Sequence, residues 1–519
     1  MPSTRAPAAA GTVSWSAGDG DRPLGSAAGI PVRVESREVA APDPLQLFEA
    51  LQRTRPPGDS YLLESLDGPE QDRHAAVVGW GRLAELRCHP DRLELHGSEP
   101  LLARLAEVVS EAVGRPAEPS GDGHGWPLAG GPALWRVLRA VQRGFRVETD
   151  VPAGRFAFGF LAAFTYEAAW AMEELPQNQV PADQPLCTLA LFRHTVWYDL
   201  DGGGARHLVA SGPQLPAARD GADALPQAPA APAAEVPAAP VPRAVRDSAT
   251  AEEYHAWVKR CLGHIEVGDS YQIQIGHRIE VETELTPLQA YRRLRHRNPS
   301  PYMYVIPWAG RTVVGASPEL FIRIEDGRIS MRPIAGTAVR AADPQEDARR
   351  VAGLRASEKE RAEHIMLVDL CRNDIGRVCV PGTLAVDAMM DVEPFAYVHH
   401  LVSTVSGTLR PEADVWAAVC ATFPAGTMTG APKLRAMEII NGIESTPRGI
   451  YAGALGLLDV RGFTMLALCI RTAVHEGGRY TIQASAGVVA DSEPAAEWRE
   501  TLAKLSATYW SLTGEELLP

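Results

Sequence analysis

The chain is 519 residues long, 45% hydrophobic and 22% charged, with a formal net charge of −14. This is globular composition at a length that allows a large core or several domains. The acidic balance, unrelieved by any Lys/Arg run, opposes the counterion release that drives nucleic-acid binding and excludes nucleic acid as an expected partner; an anionic ligand would need local cations, from side chains or a metal.

The N-terminal MPSTRAPAAAGTVSWSAGDGD lacks the apolar core of a signal peptide, and no run of roughly 18 apolar residues suggests a membrane span. A cytoplasmic protein with no membrane partner is expected. Residues 1–30 read as a flexible tail and 31–212 as an N-terminal domain. Residues 213–247, where Pro and Ala dominate without hydrophobic period, read as a linker, because such a segment buries too little apolar surface to offset its ordering entropy. Residues 248–519 form a second domain that holds every concentrated motif. The seven cysteines show no CxxC pair, and read as reduced, mostly buried thiols.

The second domain opens with a helical pattern, AEEYHAWVKRCLGHIEV, and turns at Gly268-Asp269 into the β-rich SYQIQIGHRIEVE. Asp326-Gly327 joins two apolar runs as a hairpin, and Gly477-Gly478 precedes TIQASAGVVA in the same manner. Helical stretches alternate irregularly with these hairpins, so the expected class is α+β, with large antiparallel β-sheets and packed helices.

In SEKERAEHIMLVDLCRND, Ser357 and Glu360 have capping-box spacing, so a helix is predicted to start there with Glu360 and Glu363 on one face. A second helix is predicted from DSEPAAEWRETLAKL, with Pro494 in its first turn and Glu497, Glu500 and Lys504 on one face. Facing each other, the two pairs would suit Mg²⁺, which takes one or two carboxylates plus water and substrate oxygens. From spacing alone, the competing reading is a helix cap and a solvated acidic face. Between these segments, FPAGTMTGAPKLRAMEII leads glycines and Lys433 into a helix start suited to an anion, but Ala431-Pro432 and the lack of a following Ser/Thr depart from a nucleotide P-loop.

Together GDSYQ (268–272), SPELFIRIEDG (317–327), RPIAGT (332–337), EKERAEHIMLVDLCRNDIGRV (358–378), FPAGTMTGAPK (423–433), IRTAV (470–474) and AGVVADSEPAAEWRETLAK (486–504) resemble the chorismate-utilising enzymes. That family includes anthranilate synthase component I, aminodeoxychorismate synthase, and isochorismate and salicylate synthases. Seven motifs in order over roughly 250 residues outweigh the false-positive rate of any one, and the solvated-face reading with it. YLLESLDG (61–68) is similar to a motif of the amino-transferring branch. The resemblance implies an anthranilate synthase component I-like fold, with 248–519 as the chorismate-binding catalytic domain.

The resemblance also implies roles. Glu363 and Glu500 match the Mg²⁺ ligands, supported by Glu360 and Glu497, and Glu319 matches the general acid that protonates the departing ring hydroxyl. Thr337, Thr427, Tyr451, Arg471 and Lys504 match substrate-binding positions, with Gly336 and Gly487 offering backbone contacts. His400 matches a histidine linked to later pyruvate elimination. Arg471 suits a bidentate grip on the enolpyruvyl carboxylate.

Gln272 stands where water-using members carry a lysine base; glutamine cannot deprotonate water, so ammonia is the expected nucleophile. Ala335 stands where aminodeoxychorismate synthases usually carry a nucleophilic lysine, which implies direct attack at ring carbon 2. The product, 2-amino-2-deoxyisochorismate (2-amino-4-deoxychorismate), is expected to lose pyruvate and give anthranilate; the alternative is its release for secondary metabolism. AEH at 362–364 leans to the anthranilate branch, while TGAPK resembles the para-aminobenzoate branch. Three departures bear on the second step: ASAG replaces the usual AGAG, placing Ser485 at a glycine position; His399 replaces a common methionine; and IQIGHR replaces VVLSQR. Rival readings are aminodeoxychorismate, isochorismate or salicylate formation, and a non-catalytic tryptophan-binding regulator. None of the cysteines has a glutaminase nucleophile's setting, so a separate glutaminase subunit is expected to supply ammonia. Finally, Leu63, Glu64 and Ser65, with Pro301, Tyr302 and Met303, resemble the two segments of a tryptophan effector pocket.

Overall fold

The computed structural model describes residues 29–176, 180–217, 225–226 and 236–518. The tail read over 1–30 lies outside the described residues except for Gly29 and Ile30, and Ile30 already opens the strand Ile30–Val39. Within the 213–247 segment, residues 218–224 and 227–235 also lie outside them. Its end, Ala244–Asp247, is a strand paired antiparallel with Gln272–Glu282. That strand is mostly exposed and is held by its ladder rather than by an apolar face, which is why no hydrophobic period marks it.

The architecture is α+β: one extended, strongly branched sheet with helices packed on it. Every strand pairing among the described residues is antiparallel except Ile30–Val39 with Phe145–Glu148. Asp326 and Gly327 both take positive φ, 48° and 75°, the conformation that a two-residue hairpin matching strand twist requires. The two halves of the chain meet inside the sheet. Ser60–Glu64 pairs with Tyr302–Trp308, and Gly159–Phe164 pairs with Ala454–Asp459. The largest apolar core accordingly draws on both halves, from Ile30 to Ile470.

A buried ion cluster ties the halves again. Arg332 Nε lies 3.0 Å from Asp72, and its other nitrogens reach Glu393 at 2.7 Å and Gln71 at 2.6 Å. Arg332 sits just before the strand Ile334–Val339, so this cluster anchors a strand that carries candidate site residues. All seven cysteines are buried and free. No described helix is long and apolar enough to cross a membrane.

Both predicted carboxylate helices form. Glu358–Gly376 is capped by Ser357, whose hydroxyl accepts the Glu360 N–H at 3.3 Å. Pro494–Thr513 starts on Pro494 and ends at Gly514, which takes a left-handed φ of 80°.

Candidate active site

Glu319 lies in the turn between strands Arg311–Ser317 and Leu320–Glu325, and is only 7% exposed. Thr427 donates its hydroxyl to Glu319 Oε1 at 2.9 Å. Burial pushes the Glu319 carboxyl up to about 8, against the lowering effects of Thr427, Arg471 and Lys504. Desolvation disfavours the carboxylate more than these partners favour it. At neutral pH the group therefore holds a proton, as a general acid must.

Arg471 takes a left-handed φ of 52°, and the nearby chain repeats this at Ala452, φ 60°. Side-chain-bearing residues adopt this region at a cost of about 1–3 kcal/mol, and such strain clusters at functional sites. The Arg471 guanidinium lies within electrostatic reach of Tyr451, Glu500 and Glu319, which oppose the lowering of its pKa by burial.

The strand Ile334–Val339 brings in the next group. Gly336 has φ 77°, and a Cβ there would fall 3.0 Å from Leu401 Cδ1 and 3.1 Å from Glu360 Oε2. Glycine thus permits close approach to the carboxylate helix. His400 Nδ1 lies 3.1 Å from the Gly336 carbonyl and 3.0 Å from Thr337 Oγ1. A carbonyl only accepts, so Nδ1 carries the hydrogen and Nε2 keeps its lone pair. Burial lowers the His400 pKa to about 4, leaving the ring neutral.

Glu360 and Glu363 face Glu497 and Glu500 across the site. Burial raises the Glu363 pKa to about 7, and the charges of Glu360, Glu500 and Glu497 push it the same way. Burial and Glu500 also raise Glu497, whose Oε2 is buried without a hydrogen-bond partner. Lys504 Nζ reaches Glu500 at 2.5 Å and the Ser485 carbonyl at 3.0 Å, and Lys359 Nζ is 4.0 Å from Glu363. Among the described residues no three acidic, His or Cys side chains are already drawn together as a metal cage. The donor chemistry nonetheless fits a hard cation: four mutually repelling carboxylates on two helices, one oxygen unsatisfied.

Gln272 and Gln274 share a strand face against Gly487, where a Cβ would fall 2.7 Å from Gln272 Nε2 and 2.8 Å from Gln274 Nε2. Gln272 Oε1 is buried without a partner. Tyr451 donates to Ser485 Oγ at 2.8 Å, and Ser485 donates to Gln274 Oε1 at 3.1 Å. Gln274 was not picked out from sequence, although the alternation QIQI places it two residues from Gln272 and hence on the same face.

The glycine-rich loop contributes differently from a free anion cradle. Lys433 is spent internally, on Asp374 at 2.7 Å and the Thr422 carbonyl at 2.9 Å, while Thr427 from the same loop reaches Glu319. Of the sequence-selected residues, the two helices, the 334–339 strand, this loop, Tyr451, Arg471 and Glu319 converge. The six effector candidates form a separate group. Leu63, Glu64, Ser65, Pro301, Tyr302 and Met303 line a second cavity of about 30 Å³, room for water but not for an indole ring without side-chain movement. Its polar groups are engaged: Ser65 donates to the Pro301 carbonyl at 2.7 Å, and Glu64 accepts from Arg295 at 3.1 Å and from the Tyr291 hydroxyl.

Residues 113–509 match the family model described as chorismate binding enzyme. The chain is 46% identical over 501 residues, 94% of its length and 98% of the relative's, to a 2-amino-4-deoxychorismate synthase of Streptomyces globisporus. It is 50% identical over 259 residues, about half of each chain, to an anthranilate synthase component 1 of Streptomyces coelicolor. Among solved structures, anthranilate synthase component I of Streptococcus pneumoniae superposes with TM-score 0.63 at 28% identity, covering 84% of this chain and 92% of that one. With a family match over more than half its length and a full-length relative, the chain belongs to the chorismate binding enzymes.

Proposed function

We propose that this enzyme aminates chorismate at ring carbon 2, with ammonia as nucleophile, and releases 2-amino-2-deoxyisochorismate. The observation that carries the reading is the buried, protonated Glu319 beside Arg471, opposite a four-carboxylate cluster on two helices. Full-length similarity to a protein named 2-amino-4-deoxychorismate synthase supports it.

In this reading Arg471 holds the enolpyruvyl carboxylate, Thr337 and the backbone at Gly336 and Gly487 complete the polar cradle, and the Tyr451 ring forms a wall of it. Ammonia adds at carbon 2, the two ring double bonds each move one position, and the carbon 4 hydroxyl leaves as water with the Glu319 proton. Thr427 keeps the acid oriented by its hydrogen bond. Gln272 Oε1, an acceptor with no partner, would orient an N–H of incoming ammonia, and an amide cannot deprotonate water. Glu363 and Glu500, aided by Glu360 and Glu497, would hold Mg²⁺, which supplies Lewis-acid stabilisation of carboxylate charge when bound. Ammonia would come from a separate glutaminase subunit.

The test is to incubate the purified chain with chorismate, magnesium and ammonium salt and to resolve products by mass. Accumulation of the aminated, enolpyruvyl-bearing product is expected, and glutamine in place of ammonium should give no turnover. A neutral His400 with Nε2 as acceptor favours a second reading, continuation to anthranilate; anthranilate as sole product would establish it instead. Isochorismate would overturn both. A tryptophan effector at the second cavity would have to displace the Ser65 and Glu64 partners, and calorimetric titration of the parent and of Ser65→Arg tests that reading.

A further inference from the structure

Two of the three sequence departures, IQIGHR and ASAG, meet at one point in the fold. Gly276 and Ser485 are directly opposite in the antiparallel pair of Gln272–Glu282 with Arg479–Val488, so their Cα positions present to the same face. A Cβ at Gly276 would fall 2.4 Å from the Ala484 carbonyl and 3.0 Å from Ser485 Cβ. The close approach of the Ala484 backbone requires glycine at 276, and a side chain there would also crowd the Ser485 Cβ. Two residues along, Gln274 supplies the acceptor for the serine hydroxyl at 3.1 Å. IQIGHR and ASAG are therefore one local device.

The device has a direction. An amide oxygen only accepts, so the Ser485 proton points to Gln274. Ser485 Oγ then accepts the Tyr451 proton at 2.8 Å. All three side chains are buried: Tyr451 is 6% exposed, Ser485 3% and Gln274 8%. The single proton of Tyr451 is thus committed to the strand, and a carboxylate held by the neighbouring Arg471 meets only the lone pairs of the phenol.

We propose that Ser485, fixed by Gln274, is a positioning residue that turns the Tyr451 hydroxyl away from bound substrate and so favours release of the aminated product over loss of pyruvate; this rests on the amination proposed above. Loss of pyruvate breaks the carbon 3–oxygen bond and the carbon 2–hydrogen bond. The electron pair of the latter forms the ring double bond that completes the aromatic ring. The proton ends on the methylene of the departing enolpyruvate, so no further reactant is needed. This step requires the enolpyruvyl group to be held in one orientation, and a Tyr451 donor toward its carboxylate would add that restraint. Ser485 withholds it.

The test compares the parent with Ser485→Ala, Gln274→Val and Ser485→Thr, each assayed with chorismate, magnesium and ammonium, and each checked for folding by circular dichroism. The readout is the ratio of anthranilate to aminated intermediate at equal chorismate consumption. Ser485→Ala and Gln274→Val should each raise that ratio roughly fivefold, the scale of one neutral hydrogen bond, while Ser485→Thr keeps the hydroxyl and should keep the parent ratio. Two substitutions at different residues leave a result even if one fails to fold. An unmoved ratio in the folded variants, or a parent that yields only anthranilate, overturns the proposal while leaving amination standing. A parent that aminates nothing overturns the amination reading and this proposal with it.

Discussion

Burial lifts the Glu319 carboxyl from an ordinary 4.5 to about 8, and this sets the alkaline behaviour of the enzyme. In the proposed reaction Glu319 must be protonated to release water from the ring, so kcat for amination should fall with a midpoint near pH 8 when free ammonia is held constant across the series. A flat profile to pH 9 would remove Glu319 from that role. The sign for stability runs the same way. The folded pKa lies above the unfolded value, so the contribution is complete below about pH 4.5 and lost as pH rises through about 8. Sequence reading reached Glu319 through the SPEL motif and Arg471 through IRTAV, because each sits inside a recognisable run, and took Tyr451 and His400 from the family resemblance. It did not reach Gln274, nor the direction of the Tyr451 proton. Those depend on register between two strands more than 200 residues apart, which no local pattern encodes.

The two carboxylate helices were legible because capping and i,i+3 spacing are local; that they face each other was not. Their like charges bear on stability and activity in opposite senses. Glu363→Gln should abolish ammonia-dependent turnover, yet leave the fold intact and raise Tm at pH 8 without magnesium, by on the order of 2 °C. Glu500→Gln should likewise abolish turnover. Near-wild-type, magnesium-dependent activity in either variant would sink the metal assignment. The strand Ile334–Val339 depends on a different charge arrangement. Arg332→Met leaves Asp72 and Glu393 buried without their cation, and loss of a partner from a buried ion cluster costs about 3–5 kcal/mol. A urea midpoint lowered to match is expected; an unchanged midpoint would mean that the cluster is dispensable.

At the scale of the whole molecule, the α+β class was legible from hairpins and irregularly spaced helices. The Pro/Ala-rich segment marks a shift of composition along the chain, but composition cannot show that the halves share one sheet. Tyr302–Trp308 pairs with Ser60–Glu64, and Ala454–Asp459 with Gly159–Phe164. Residues 248–519 expressed alone would bare both edges, and exposed apolar edges template aggregation. That fragment should be insoluble or inactive, and co-expression with residues 31–212 should recover turnover. A soluble, active 248–519 fragment would contradict this.

The seven buried thiols give the molecule an internal clock. Desolvation pushes Cys261 up to about 12 and Cys187 well above its ordinary value, so an alkylating reagent finds neither access nor thiolate until the surrounding structure opens. Labelling rates read peptide by peptide would therefore measure local unfolding free energies. Cys88 and Cys187 stand opposite each other in the N-terminal half, and Cys261 and Cys469 lie beyond the Pro/Ala-rich segment. If the shared sheet makes one cooperative unit, all four should become modified at a common rate. Two distinct rates would date the opening of each half separately.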